Sequence, residues 1–292
     1  MRIAYLGPQG TFSEEAVEIY RASLDSGRYG AFTTGSAHEL VQCTSNAEVI
    51  STVAGGQADE GVVAIENSIE GPVNVTLDML AWDVDLHIKG EVLVPIIQNL
   101  LVRYETAEAG TGAGVRAITK ILSHPQAVGQ CAAFLNRHFP SIPVQYASST
   151  ALAAHMVADS RESWAAIAST RAAAQCGLTV LLPSIQDKDN NVTRFVALSR
   201  DKDGPNTGKC KTSIVFATEH VPGSLYRALG VLNLWDLNLT KIESRPAKNQ
   251  LGNYIFFVDI EGHREDENIR DALTMLKKKT FYFKMLGSYP TA

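Results

Sequence analysis

Ile3-Ala4-Tyr5-Leu6-Gly7-Pro8-Gln9-Gly10-Thr11-Phe12-Ser13-Glu14 is the stretch from which the fold is read. Ile3 to Leu6 is a short β-type run and Gly7 to Gly10 a turn. Thr11 to Glu14 has the T-x-x-E spacing of a capping box, opening a helix through about Tyr20. A strand feeding a glycine loop and then a helix N-terminus leaves backbone N–H groups and the positive end of the helix dipole facing the space above the strand. That space favours an anion. An ordinary βα turn is spelled the same way, so this segment alone does not decide between a site and a plain connection.

The same grammar recurs along the chain. Gly61 to Ile65 is a continuous apolar run of the kind buried in a parallel sheet, and it stops at Glu66-Asn67-Ser68. Ile118 to Leu122 stops at Ser123-His124-Pro125-Gln126. Val144 to Ala147 ends at Ser148-Ser149-Thr150, and Trp164 to Ala168 at Ser169-Thr170, each before an alanine-rich helix that a hydroxyl can cap. Val192 to Leu198 closes the region as a last strand carrying Thr193. Strands alternating with helices predict open parallel α/β sheets whose ligand lies beyond the carboxyl ends of the strands. Those ends carry hydroxyls and amides and almost no lysine, a lining that suits a small carboxylate-bearing ligand better than a nucleotide.

Asp201 to Cys210 is a polar stretch with two glycines and a proline, read as a linker. Beyond it, strand, helix, two strands, helix and strand follow in about 80 residues, the ferredoxin-like βαββαβ order. At 292 residues the chain has room for more than one domain. The expected division is a two-lobed region over 1–200, with one lobe from 1–75 and 176–200 and the other from 76–175. A linker over 201–210 and a C-terminal module over 211–292 complete it.

Composition narrows the function classes. Hydrophobic residues at 45% and charged ones at 20% fit a globular protein with a large core. A net charge of -5 and a pI near 5.8 argue against nucleic acid as a partner. No apolar stretch approaches the ~20 residues of a membrane span, and the N-terminus lacks a signal-peptide core, so a cytoplasmic location without membrane contact is expected. Cys43, Cys131, Cys176 and Cys210 are too scattered for a metal site and read as core residues in a reducing compartment. Gly110 to Gly114 lacks the spacing of a dinucleotide loop. Asp187, Asp189 and Asn191 begin a calcium-loop pattern that Val192 and Leu198 break. The N-x-T triplets at Asn74, Asn191 and Asn238 carry no glycosylation meaning without a secretory signal, and no G-x-S-x-G elbow supports acyl transfer.

Five segments together resemble prephenate dehydratase. They are Gly7 to Ser13, Glu66 to Gly71, Ser123 to Ala127, Ser148 to Ala151, and Asn191-Val192-Thr193-Arg194-Phe195. The C-terminal segment resembles the ACT regulatory domain that accompanies this enzyme, with Pro222-Gly223-Ser224-Leu225-Tyr226 and Glu243-Ser244-Arg245-Pro246 at its two effector motifs. Ser224 and Tyr226 stand where the commonest form of the first motif has alanine and valine.

The resemblance implies a lyase of phenylalanine biosynthesis that converts prephenate to phenylpyruvate, carbon dioxide and water without cofactor or metal. It implies a catalytic region like type II periplasmic binding proteins, an α/β fold of two lobes around a cleft, followed by the ferredoxin-like ACT domain. Thr193 is the family's residue tied to catalysis, expected to polarise the departing hydroxyl, with Asn67 and Ser68 as the other expected catalytic residues. Substrate contacts are expected from Thr11, Glu66, Ser123, Gln126, Ser149, Thr150, Thr170, Arg194 and Phe195. On a regular strand Arg194 points away from Thr193, so it is either a substrate clamp or a structural ion pair; Glu66 either orients a donor or pairs with Arg194. His124 before Pro125 reads as a turn histidine. Phenylalanine is the expected effector, bound between paired ACT domains of a homodimer or homotetramer. Arogenate dehydratase and a non-catalytic amino-acid sensor are the alternatives.

Overall fold

The computed structural model describes residues 1–27, 38–103, 118–201, 203–247 and 253–292. The glycine-rich 110–114 stretch lies outside the described residues. The N-terminal unit runs β1 (Arg2–Leu6), α1 (Phe12–Asp25), β2 (Glu39–Cys43), α2 (Asn46–Ala54) and β3 (Glu60–Asn67). The short β4 (Gly71–Pro72), α3 (Asn74–Asp78) with a π-turn over Met79–Asp83, and β5 (His87–Pro95) follow. The second unit runs β6 (Asn99–Val102), β7 (Lys120–Ser123), α4 (Pro125–Gln130), α5 (Ala132–His138), β8 (Val144–Tyr146), α6 (Thr150–Asp159), β9 (Trp164–Ala168), α7 (Thr170–Cys176) and β10 (Thr179–Leu182). The chain then returns to the first unit as β11 (Val192–Ser199).

The first sheet has the order β2-β1-β3-β11-β5 and the second the order β8-β7-β9-β6-β10. Each is three parallel strands in the order second, first, third, extended by an antiparallel strand and then one more. Both sheets are therefore mixed, against the expectation of purely parallel ones. β11 is antiparallel to both β3 and β5 because it is the strand on which the chain comes back from the second lobe. The two crossings lie at 96–98 and 183–191, so β5 belongs to the first lobe and β10 to the second, unlike the expected divisions after 75 and 175. The β5 strand has a weak sequence signature because Lys89 and Glu91 interrupt its apolar run. Both are buried, and salt bridges make that tolerable: Lys89 to Glu60 at 3.2 Å, Glu91 to Arg194 and Lys211 at 2.7 and 3.0 Å.

The C-terminal module comprises β12 (Cys210–Ala217), α8 (Ser224–Leu234), β13 (Leu239–Pro246), β14 (Tyr254–Glu261), α9 (Glu267–Lys279) and β15 (Tyr282–Pro290), with sheet order β13-β14-β12-β15. Its strands pair antiparallel throughout, the ferredoxin-like arrangement. One face carries α8 and α9 over Ile214, Phe216, Val258 and Ile260. The other face does not stop at its own boundary. Val215, Phe257, Leu286 and Tyr289 share a single apolar cluster with Ile88, Val196, Leu198, Leu77 and Leu80 of the first lobe. The module is thus laid against the back of the first sheet as the second layer of a sandwich.

The two lobes also meet beside the first helix. Thr11 caps α1 by accepting from the Glu14 N–H, as the T-x-x-E spacing predicts, but the Glu14 carboxylate reaches back to the Gly10 N–H at 2.8 Å rather than to Thr11. Gly10 has φ +84°, a conformation that only glycine takes without strain, and its carbonyl accepts from Ser169 of the second lobe. The same Glu14 oxygen accepts from Arg171 at 2.7 Å and Gln175 at 2.9 Å, both on α7. Burial alone would push this carboxyl up, but the bonds from Arg171, Gly10 and Gln175 outweigh it and hold it below the ordinary value of 4.5.

A lowered folded value stabilises above the ordinary pKa and ceases to do so as pH falls through the lowered one. Glu14→Gln should therefore lower unfolding stability by about 1–3 kcal/mol at neutral pH. The gap from the wild type should narrow as pH falls below 4.5 and through the lowered folded pKa of Glu14, where its carboxyl becomes neutral like the amide. Denaturant unfolding of the two proteins across that range measures it.

Candidate active site

The interlobe cleft holds a cavity of about 540 Å³ lined by residues of both lobes. Two helices enter it end-on. Thr11, Phe12 and Ser13 bring the N-terminus of α1 from one lobe; Ser148, Ser149 and Thr150 bring that of α6 from the other. Ser149 caps α6 by accepting from the Leu152 N–H at 3.0 Å. The first N–H groups of a helix lack intrahelical partners, so two positive dipole ends converge on one space. Among its described lining residues there is no lysine, arginine, aspartate or glutamate. The lining offered to a ligand consists of backbone, amides, hydroxyls, one imidazole and apolar side chains.

Thr193, first inward residue of β11, stands directly opposite Asn67 of β3 in the ladder, and both line the cavity. The Asn67 side-chain oxygen accepts from the N–H groups of Ile69 and Glu70, each at 2.9 Å, which fixes which way the amide faces. Its NH₂ therefore donates to Asn191 Oδ1 at 2.7 Å and to Thr193 Oγ1 at 2.9 Å. The Thr193 oxygen thus accepts from Asn67 while the residue lines the cavity, which leaves its own proton available for donation there.

Thr11, Gln126, Ser149 and Thr150 line the cavity, although the Thr11 hydroxyl is spent on the Pro8 carbonyl at 2.9 Å and on capping α1. Other expected contacts lie elsewhere. Ser123 is buried and donates to the Ile167 carbonyl at 2.6 Å, stitching β7 to β9. Thr170 borders a separate cavity of about 250 Å³, with Phe12 and Arg171, and its hydroxyl meets Asn99. Ser68 donates to the Asn190 carbonyl at 2.7 Å and accepts from the Val192 N–H, so it ties the return crossing to β3. Phe195 is a core residue under α1 with Ile3, Tyr5 and Val17. Glu66 and Arg194 point to the opposite face of the sheet, toward the C-terminal module, and pair at 2.8 Å. The alternatives left open for them resolve as an ion pair.

Sequence reasoning does not single out Gln98 and Gln130. Gln130 of the second lobe donates to Glu70 at 3.5 Å and accepts from Gln98 at 3.2 Å, a side-chain relay across the mouth of the cleft. Neither lies in a strand-end motif, so neither carries a local signal. His124 also lines the cavity. It caps α4, its Nδ1 accepting from the Gln126 N–H at 3.3 Å, which leaves the proton of a neutral ring on Nε2.

In the C-terminal module, Pro222, Ser224 and Leu225 border a second cavity of about 340 Å³ with Tyr254 and Phe256. Gly223 caps α8 at φ +75°, and the Ser224 hydroxyl accepts from Thr218. Tyr226 points away and is 81% exposed. Glu243 and Arg245 turn inward on β13, and Arg245 pairs with Asp78 of the first lobe at 3.2 Å, while Ser244 and Pro246 face outward. The second expected motif therefore does not gather at this cavity within one chain; its Ser244 and Pro246 are ladder partners of Phe256 and Tyr254 on the neighbouring strand.

Known proteins match this architecture closely. A family model described as prephenate dehydratase matches residues 3–203. A bifunctional chorismate mutase/prephenate dehydratase of Aquifex aeolicus (strain VF5) is 40% identical over 292 residues, 100% of this chain and 74% of that protein. A prephenate dehydratase of Bacillus subtilis (strain 168) is 36% identical over 298 residues, covering 99% and 98%. The crystal structure of a prephenate dehydratase in complex with L-Phe from Arthrobacter aurescens is 35% identical, with a TM-score of 0.84 over 99% of this chain and 90% of that one. A further solved chain, described as a quorum quenching acylase, has 27% identity and a TM-score of 0.82 over 100% and 98%. Since the family model spans well over half the sequence and relatives above 30% identity cover its whole length, the chain belongs to the prephenate dehydratase family.

Proposed function

We propose that the cleft carries out the decarboxylative dehydration of prephenate to phenylpyruvate, and the observation that carries this is the oriented Asn67–Thr193 pair inside an uncharged cavity between two helix N-termini. Prephenate brings two carboxylates and a ring hydroxyl. The bond from the ring to its carboxylate breaks and releases carbon dioxide. That electron pair completes the aromatic ring, and the hydroxyl leaves with one added proton as water. The α1 and α6 N-termini hold the negative charge, which suits the site to a dianion although the protein as a whole is acidic. The departing oxygen gains negative charge as its bond lengthens, so a hydrogen bond from Thr193 is stronger in the transition state than in the ground state. A threonine is too weak an acid to surrender its proton outright, so Thr193 positions the departing oxygen while the proton it leaves with as water is taken up from the acid of the solution.

Acyl transfer would need a hydroxyl activated by a base, and no hydrogen bond among the described residues joins His124 to a serine or threonine hydroxyl. A sensor without chemistry would have no use for a threonine whose proton is available to the cleft. Phenylalanine is the effector we assign to the C-terminal module, on the strength of the Arthrobacter relative described in complex with L-Phe and of the 340 Å³ cavity at the Pro222 motif. The outward-facing Ser244 and Pro246 would complete the effector site across a pair of chains, giving a dimer or tetramer in the cytoplasm.

Thr193→Ala should lower kcat for phenylpyruvate formation by about 10² to 10⁴ with KM little changed, while Thr193→Ser retains most activity. A Thr193→Ala enzyme with wild-type kcat would remove the role given to that hydroxyl. Asn67→Leu leaves the Thr193 hydroxyl free to turn and should cost at least about tenfold in kcat. For regulation, phenylalanine should change both activity and sedimentation; a chain indifferent to it in both would have a different effector. Comparing kcat/KM on prephenate and arogenate decides the substrate, with prephenate expected to be the better one.

A further inference from the structure

Behind the catalytic pair lies a second pair that the reaction does not touch. In the β3–β11 ladder Thr193 faces Asn67 and the next rung sets Arg194 against Glu66. Successive strand residues point to opposite faces, so the first rung opens into the cleft and the second into the joint with the C-terminal module. Arg194 is 5% exposed there. Its Nε donates to Glu91 at 2.7 Å, its Nη1 to Glu66 at 2.8 Å and Asp259 at 2.6 Å, and its Nη2 to Tyr289 at 2.7 Å. Asp259 and Tyr289 belong to β14 and β15 of the module, and both are tied to Ser213 of β12. Lys241 of β13 grips the other Glu66 oxygen at 2.5 Å, and Lys211 of β12 holds Glu91 at 3.0 Å. Three cations thus meet three carboxylates, and every strand of the module's sheet contributes a residue to the cluster. The ladder changes register between Arg194 and Phe195, the kind of irregularity that re-aims a side chain beside a site.

We infer that Arg194 and Glu66 are positioning residues, through which the seating of the C-terminal module sets the aim of Thr193 and Asn67 one residue away on the same strands. A planar guanidinium bonded at three nitrogens cannot follow a shift of Asp259 and Tyr289 without pulling on its own backbone. That backbone is continuous with Thr193. Lys241 makes the connection directional, because the strand that carries it also carries Glu243 to Pro246 and the Arg245–Asp78 pair. Displacement of β13 is therefore felt at Glu66, beside the asparagine that orients the donor.

This inference rests on the dehydratase reading, so phenylpyruvate formation by the wild-type chain is measured first; its absence overturns that reading and the inference with it, whereas a failure in the variants alone overturns only the inference. Given activity, Lys241→Met releases one grip on Glu66 while Arg194 keeps the buried charge paired, and Lys241→Arg restores the grip. The expected result for Lys241→Met is a fall in kcat of about three- to tenfold with KM within about twofold, recovered in Lys241→Arg. Where the wild type responds to phenylalanine, the kinetic effect should shrink to less than about twofold in Lys241→Met, while phenylalanine binding by calorimetry stays within about threefold. A kcat within twofold of wild type, a loss that appears in KM, or a fall that Lys241→Arg does not recover overturns the assignment. A residue that merely held the module in place would lower the melting temperature and leave kcat alone.

Discussion

Strand β11 inserts antiparallel between β3 and β5, and most of the molecule is organised by that insertion. The first lobe would lack two of its five main-path strands without it, since β5 pairs only through β11. The chain leaves for the second lobe from β5 and comes home on β11, so both crossings end beside the rung that holds Thr193. The pairing thus supplies the central sheet, the return crossing between the lobes and the position of Thr193 at once.

The polar cluster behind the rung is better understood as a specifier than as a source of stability. Taking charges out of water costs several kcal/mol for each ion, and close pairing at best roughly offsets that cost. The apolar surface shared by Val196, Leu198, Val215, Phe257 and Leu286 supplies the attraction between module and lobe. Such a surface would tolerate sliding. Arg194 with its fixed fork does not, because each of its three nitrogens is bonded to a partner that sliding would move. Burial by itself works against the charged guanidinium, but Tyr289, Asp259 and Glu91 outweigh it and push its pKa further up. Glu66 is held below the usual range, its burial outweighed by Lys241 and Arg194. Arg194 and Glu66 therefore stay charged over the physiological range, and their pair acts as a register mark.

Which parts of the molecule are legible in the sequence depends on which forces leave local traces. Gly61 to Ile65, ending in Glu66-Asn67-Ser68, is legible as a strand reaching a site because full burial on both faces demands an unbroken apolar run. The Thr11 and Ser149 caps are legible because a cap is written within four residues. The β5 strand is not, because its burial is completed by Lys211 and Arg194, more than a hundred residues away in sequence. Ser123, Ser68 and Thr170 show the opposite failure. A hydroxyl at a strand end can face a ligand or satisfy a neighbouring backbone group, and only the fold decides which. Strand alternation alone turns Arg194 away from Thr193; its destination in another domain carries no local signal.

The cavity between α1 and α6 has one further consequence, for how such a site is altered. The grip on negative charge proposed for it resides in main-chain N–H groups, which every amino acid except proline presents identically. A systematic alanine scan would pass over such anchors without registering them, and sequence drift at those positions would leave them intact. Changing what the cleft accepts then requires altering the course of the backbone, by a proline, an insertion or an ester linkage at the first turn of either helix. Recognition of this kind is encoded in conformation and is only indirectly accessible to substitution.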